Sequence, residues 1–276
     1  MGVLEGKVAF ISGGARGQGR SHAIKMAGEG ADIITFDICE SYDTVANPGP
    51  TEEDLAQTVK EVEALGRRIV AQRADARDQA AVQAVFDQGV GELGRCDIVL
   101  ANAGIMPIVG EPARKRQAWH DCIDVMITGA LHTCEAAIST LLTQGDGGSI
   151  VITSSLAGVK GPMRTLGLKS DGFLGYVVAK HGVVGLMRCY ANALGAYKIR
   201  CNTVHPTGVS TPMTANEQLF EFMENNPELG GAMRNILPTN LIEPEDVSNM
   251  IVYLCSDAAR YITGATINVD AGASAY

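Results

Sequence analysis

The sequence has 276 residues, 46% of them hydrophobic, with 32 glycines and a formal net charge of -9. That length and apolar content suit one α/β domain with a sizeable core. The acidic balance argues against nucleic acid or an anionic membrane surface as a partner. No uninterrupted apolar run approaches the ~20 residues needed to cross a bilayer, and the N-terminus MGVLEGKVAFISGG lacks the basic start and cleavage site of a signal peptide. Seven scattered cysteines, without Cys-x-x-Cys spacing or a histidine cluster, read as reduced thiols of a cytoplasmic protein with no metal centre.

Lys7 to Ser12 (KVAFIS) is a short apolar run that reads as a buried strand, followed by the glycine loop Gly13 to Gly19 (GGARGQG) and a helical stretch from Arg20 to about Glu29. Strand, glycine loop and helix are the setting in which backbone amides and a helix N-terminus bind a pyrophosphate. The spacing is G-x-x-x-G-x-G, and a plain tight turn is the competing reading. A side chain at Gly13 or Gly19 would crowd the phosphates or the helix packing. The next strand, Asp32 to Asp37 (DIITFD), ends in an acid. Asp37 lies where a carboxylate accepts hydrogen bonds from an adenosine ribose, which favours NAD over NADP. Arg16 pulls weakly the other way, because it can pair with a 2′-phosphate.

Glu40 to Pro50 (ESYDTVANPGP) is a polar, proline-bearing loop, and Thr51 is a good N-cap for a helix running to about Leu65. Strand Ile69 to Arg73 follows. Asp75 then either meets the adenine amino group or caps the helical stretch Gln79 to Gly91. A fourth strand, Asp97 to Ala101, runs into Asn102, Ala103 and Gly104, whose small side chains let a cofactor approach the backbone. Asn102 can also tie adjacent strands together. Ala118 to Leu142 reads as one long helix with Gly129 inside it.

The fifth strand, Ser149 to Thr153, delivers Ser154 and Ser155 at its carboxyl end, and a helix carrying Tyr176 and Lys180 follows. Tyr176 and Lys180 are one turn apart and share a helix face. A nearby ammonium stabilises a phenolate and lowers the tyrosine pKa from about 10, which suits a general acid or base. Ser155 can hold the same substrate oxygen. A surface Tyr–Lys pair with a snorkelling lysine is the alternative. Arg200 to His205 is a sixth strand ending in Pro206, Thr207 and Gly208. Glu243-Pro244-Glu245 opens a helix, and Thr266 to Asp270 is a last strand. Between them, Thr211 to Pro238 is partly helical and rich in methionine and phenylalanine. It reads as an apolar lid or as an ordinary amphipathic helix packed on the body or a partner subunit. The alternation predicts a doubly wound parallel sheet of about seven strands with helices on both faces, in a single Rossmann-like domain with a small helical lid over 211–238. The candidate residues all fall at carboxyl ends of strands.

Together these residues resemble the short-chain dehydrogenase/reductase family over nearly the whole chain. The glycine motif is similar to Ser12 through Gly19, the Asn-Ala-Gly motif to Asn102-Ala103-Gly104, the catalytic serine to Ser155, and the Tyr-x-x-x-Lys pair to Tyr176 and Lys180. The resemblance implies cofactor contacts at Gly13, Arg16, Gly17, Gln18, Gly19, Asp37, Ile38, Asp75, Ala76, Thr153 and the nicotinamide-side segment Pro206, Thr207, Gly208, Val209, Thr211 and Met213. Val209 and Thr211 would fix the carboxamide, and Lys180 the nicotinamide ribose. The loop Glu40 to Pro50, LAGVKG at Leu156 to Gly161 and AKHG at Ala179 to Gly182 resemble the carveol dehydrogenases and mycofactocin-associated oxidoreductases. That subgroup implies tightly held NAD, an apolar secondary alcohol or its ketone as substrate, a homotetramer built through the long helices and, where the cofactor stays bound, an external electron acceptor. The alternatives are an NADPH-dependent ketone or 3-oxoacyl reductase and a catalytically silent NAD(H) sensor. A methyltransferase shares the glycine loop but has no need for Tyr176 and Lys180. Two departures stand out: Met126 occupies the place of the family's proton-relay asparagine, and Pro206-Thr207 replaces a Pro-Gly.

Overall fold

The computed structural model describes residues 2–275. Strand β1 (Val8–Ser12) is buried along its whole length. The chain then turns through the glycine loop into α1 (Gly17–Gly28), β2 (Asp32–Asp37) and α2 (Glu52–Ala64). The N-cap predicted at Thr51 forms, and the structure completes it as a capping box: its hydroxyl accepts from the Asp54 amide and the Asp54 carboxylate accepts from the Thr51 amide. β3 (Ile69–Arg73), α3 (Gln79–Leu93) and β4 (Ile98–Ala101) follow. The cap of α3 is Asp78, which accepts from the amides of Ala80 and Ala81.

The stretch expected as one helix is α4 (Arg116–Ile123), a π-helical turn at Asp124–Thr128, and α5 (Gly129–Gln144). π turns inside α-helices concentrate at functional sites. The continuous run Arg116–Gln144 is long and apolar enough to cross a membrane by length and composition alone, though polar residues interrupt it. Half of its most apolar window is buried against the body of the protein, which is the environment of a core helix.

β5 (Gly148–Thr153), α6 (Asp171–Leu194) and β6 (Ile199–Pro206) carry the candidate catalytic residues. The insertion contains α7 (Glu217–Glu224) and α8 (Pro227–Ala232), and α9 (Pro244–Cys255) and β7 (Thr266–Val269) complete the chain. The seven strands form one parallel sheet in the order β3-β2-β1-β4-β5-β6-β7. Its core strands are apolar on both faces because helices cover both. One face buries Phe10, Phe36 and Phe86, with ring centroids 5.7 and 5.2 Å apart, under α3, α5 and α6. The other buries Ile11, Met26, Leu100 and Ile251 under α1 and α9. The strand order reverses between β1 and β4, and a crevice opens there at the carboxyl ends.

Candidate active site

The wall of that crevice begins with the glycine loop. Gly13 has φ +76°, and a Cβ there would lie 2.9 Å from the Ala103 Cα, so only glycine fits. A Cβ on Gly19 would collide with the Gly13 carbonyl, and one on Gly14 with the Thr35 hydroxyl. The Gln18 Oε1 is buried in the loop without a protein partner. A backbone cradle that excludes side chains, at the start of a helix and with an orphaned acceptor in its wall, fits a dinucleotide pyrophosphate and its neighbouring groups.

Asp37 sits at the end of β2 and is 8% exposed. Its carboxylate accepts from the Ala15 amide at 2.9 Å and the Ile38 amide at 2.8 Å. Burial raises its pKa, opposed by these amides and by the Arg16 charge. Arg16 donates to the Pro48 carbonyl at 2.5 Å and so is tied to the Glu40–Pro50 loop. That loop reaches over the crevice and lines it with Tyr42, Val45 and Pro48. It is fastened from beneath: the Thr44 hydroxyl donates to buried Asp121 at 2.6 Å, and the Arg77 guanidinium lies 3.7 Å from Asp121 and 4.9 Å from the Tyr42 ring centre. The sequence reading noticed this loop but not its place on the wall. The signal available was its position directly after β2, on the ligand side of the sheet.

Asn102 ties three strands together. Its side-chain amide donates to the carbonyls of Ser12 (3.2 Å) and Gly13 (3.4 Å), and its Oδ1 accepts from the Thr153 hydroxyl (3.2 Å). Ala103, Gly104, Ala76, Ile38, Thr153, Thr211 and Met213 all line the crevice, with Ile105, Met106 and Val125 added by the structure. Asp75 requires correction as a helix cap. Its carboxylate is held by the Arg77 side chain at 2.6–3.1 Å and by the Arg77 amide, it lines a depression that shares Ile38, Tyr42 and Ala74 with the crevice, and it does not cap α3. Pro206, Thr207, Gly208 and Val209 stand behind the wall. Thr207 donates to Asn235 at 2.8 Å, and Val209 is buried in a bridge to Ile242.

Tyr176 and Lys180 project from one face of α6 into the crevice. Ser154 donates to the Lys180 carbonyl at 2.7 Å, which fastens α6 to the end of β5. Ser155 begins the short turn after β5, accepts from the Ala157 amide, and sits beside the Tyr176 phenol, where its side chain favours the ionised form. Burial raises the Tyr176 pKa, and the Ser155 side chain opposes it. The predicted depression by Lys180 is therefore corrected. The ammonium donates to the Thr153 carbonyl at 2.8 Å, lies 5.9 Å from the phenol ring centre, and is itself pushed by burial down to about 8. Met126 lies in the π turn, 2% exposed, packed among Ile105, Cys122, Val125 and Ala179. The place of the relay asparagine is thus apolar, and a proton route from Lys180 would have to leave by another side.

Known proteins are similar over nearly the whole chain. The family described as enoyl-(acyl carrier protein) reductase matches residues 13–274. An uncharacterised oxidoreductase of Mycobacterium tuberculosis is 49% identical, with 98% of this chain and 96% of that protein aligned. The (-)-trans-carveol dehydrogenase of Rhodococcus erythropolis is 44% identical over 99% of each. The crystal structure of carveol dehydrogenase from Mycobacterium avium in complex with NAD superposes over 100% of both chains with a TM-score of 0.91 and 43% identity. With the glycine cradle, the Asn102 tie and the Ser155–Tyr176–Lys180 group assembled at one switch point, the chain belongs to the short-chain dehydrogenase/reductase family of oxidoreductases.

Proposed function

We propose that the protein is an NAD-dependent dehydrogenase of apolar, carveol-like secondary alcohols, reversible toward the ketone. The observation that carries the reading is the convergence of Ser155, Tyr176 and Lys180 on a crevice whose other end is the glycine cradle and the Asp37 carboxylate. Bound NAD supplies the hydride acceptor. Ser155 holds the substrate oxygen, Tyr176 takes or gives the hydroxyl proton, and Lys180 orders the nicotinamide side of the site. Thr211 and Met213 close the nicotinamide end.

The apolar substrate class rests on the insertion. Leu229 of α8 is buried with Leu168 and Phe173 beside the catalytic helix, and Phe222, Met223, Met233 and Met163 pack around them. This segment acts as a lid, and its methionines adapt to irregular hydrocarbon shapes. Oligomerisation as a homotetramer would cover Leu131, Leu142 and Val178, which are exposed on α5 and α6. Light scattering reads that state.

The function is tested by absorbance scans near about 340 nm after carveol-like alcohols are added, with and without free NAD. A catalytic rise that needs added NAD marks an exchanging dehydrogenase. A single stoichiometric rise without it marks NAD trapped under the Glu40–Pro50 loop and an external electron acceptor. No rise with any alcohol overturns the reading.

Asp37 sets the cofactor preference. The carboxylate penalises a 2′-phosphate and bonds the ribose. Replacing Asp37 with serine is expected to raise KM for NAD about 10-fold, the scale of losing a hydrogen bond to a charged group. It is also expected to raise the NADP-to-NAD ratio of kcat/KM. An unchanged ratio would remove Asp37 from this role.

A further inference from the structure

We infer that His205 is the positioning residue for Ser155, acting through the serine's main chain from the neighbouring strand. His205 lies near the end of β6 and is fully buried. Its Nδ1 is 2.9 Å from the Ser155 carbonyl, and its Nε2 is 2.8 Å from the Thr203 hydroxyl two residues back on the same strand face. A carbonyl can only accept, so Nδ1 carries the hydrogen and donates. Nε2 then accepts from the Thr203 hydroxyl in a neutral ring.

The Ser155 carbonyl also accepts from the Gly158 amide at 2.8 Å, so both of its lone pairs are used and its direction is set. The Ser155 hydroxyl, at the other end of the residue, accepts from the Ala157 amide and lies on the side of Tyr176. β5 alone does not fix this residue. The last ladder bond is from the Ser154 amide to the Val204 carbonyl at 2.9 Å, and Ser155 is already off the sheet. Ser154 pins the helix that carries Lys180, and His205 pins the turn that carries Ser155. A small rotation of that turn would move the serine hydroxyl away from the substrate oxygen, and misplacement on that scale is costly in rate.

This assignment rests on the oxidoreductase reading for its kinetic half only, and the test separates the two. Asparagine can place a donor where Nδ1 sits, whereas glutamine reaches toward the Nε2 position. His205→Asn is expected to keep kcat within about 3-fold, while His205→Gln and His205→Ala lose roughly 10-fold in kcat, with the NAD dissociation constant unchanged in all three. Independently of turnover, nitrogen-15 spectra of histidine-labelled protein should show His205 as the neutral Nδ1–H tautomer. An Nε2–H tautomer, or full kcat in His205→Ala, overturns the inference. So does an equal loss of kcat, NAD affinity and melting temperature in all three variants, which would mark a purely structural residue. If the wild-type protein turns over no alcohol, the functional reading fails and the tautomer alone decides this one.

Discussion

Replacing Tyr176 with phenylalanine is expected to lower kcat roughly 100- to 10,000-fold, the range of a lost general acid–base. The fold and NAD affinity should stay close to those of the wild type. The ring keeps its packing against the apolar group around Cys122 and Val125, and what is removed is the phenol oxygen beside Ser155. The pH dependence follows from the direction of the shift. Burial holds the phenol above its ordinary pKa, so at neutral pH it carries its proton and is a ready donor for ketone reduction. Alcohol oxidation needs the phenolate, whose share grows as pH rises, so oxidation should gain steadily toward alkaline pH. Lys180, at about 8, loses its charge over the same range, which weakens its hold on the nicotinamide side of the site as the base form appears. Oxidation should therefore climb less steeply than a lone titrating phenol would give. Initial rates in both directions from pH 6 to 10 check this. A Tyr176→Phe protein within about 3-fold of wild type in kcat would remove the tyrosine from the mechanism.

How much of this was legible beforehand depended on where the physics was local. β2 and β3 were read with their true ends: β2, buried along its length, is a largely apolar run closed by an aspartate at each end, and β3, at the sheet edge, is a short apolar run closed by Gln72 and Arg73. The N-cap at Thr51 was legible because capping is local, its partner amide lying three residues on. The pairing of Tyr176 and Lys180 followed from helix periodicity, but their electrostatics did not. Whether the ammonium faces the phenol or the Thr153 carbonyl depends on a strand 27 residues back in the chain. The capping reading of Asp75 failed because two acids and an arginine (Asp75, Arg77 and Asp78) follow one another just after β3, and sequence cannot say which acid caps the helix and which pairs with Arg77. The π turn around Met126 was invisible, because a one-residue insertion in a helix leaves the apolar pattern almost intact. The fastening of the Glu40–Pro50 loop through Thr44 and Asp121 spans 77 positions and has no local signature.

Acidification should destabilise the fold well above the pH at which carboxylates titrate, and His22 is the principal cause. His22 lies on α1, fully buried against α9. Its Nδ1 is 2.8 Å from the Ser248 hydroxyl, and its Nε2 has no partner. Burial drives its pKa from 6.5 to about 3. The folded state therefore holds a neutral ring in the range where the unfolded chain binds a proton, and stability must fall as pH falls from about 6.5 toward 3. At ~1.4 kcal/mol per pH unit the loss between pH 7 and 5 is about 2 kcal/mol, a sizeable part of an ordinary domain's stability of roughly 5–15 kcal/mol. His205, also lowered chiefly by burial, adds to the loss with the same sign. Asp32 and Asp97 have lowered pKa values, so their contributions are lost only below the ordinary carboxylate range. Asp37 works the other way, because its raised pKa lets the folded state take up the proton first. Urea unfolding at pH 7 and pH 5 isolates the histidine share. His22→Leu keeps an apolar side chain in the site and leaves Ser248 bonded to Ser21 and the Pro244 carbonyl. In that variant the difference between the two pH values should shrink to the part owed to His205. If the wild type and His22→Leu lose equal stability over those two pH units, the proton that unfolds this protein in mild acid is bound elsewhere.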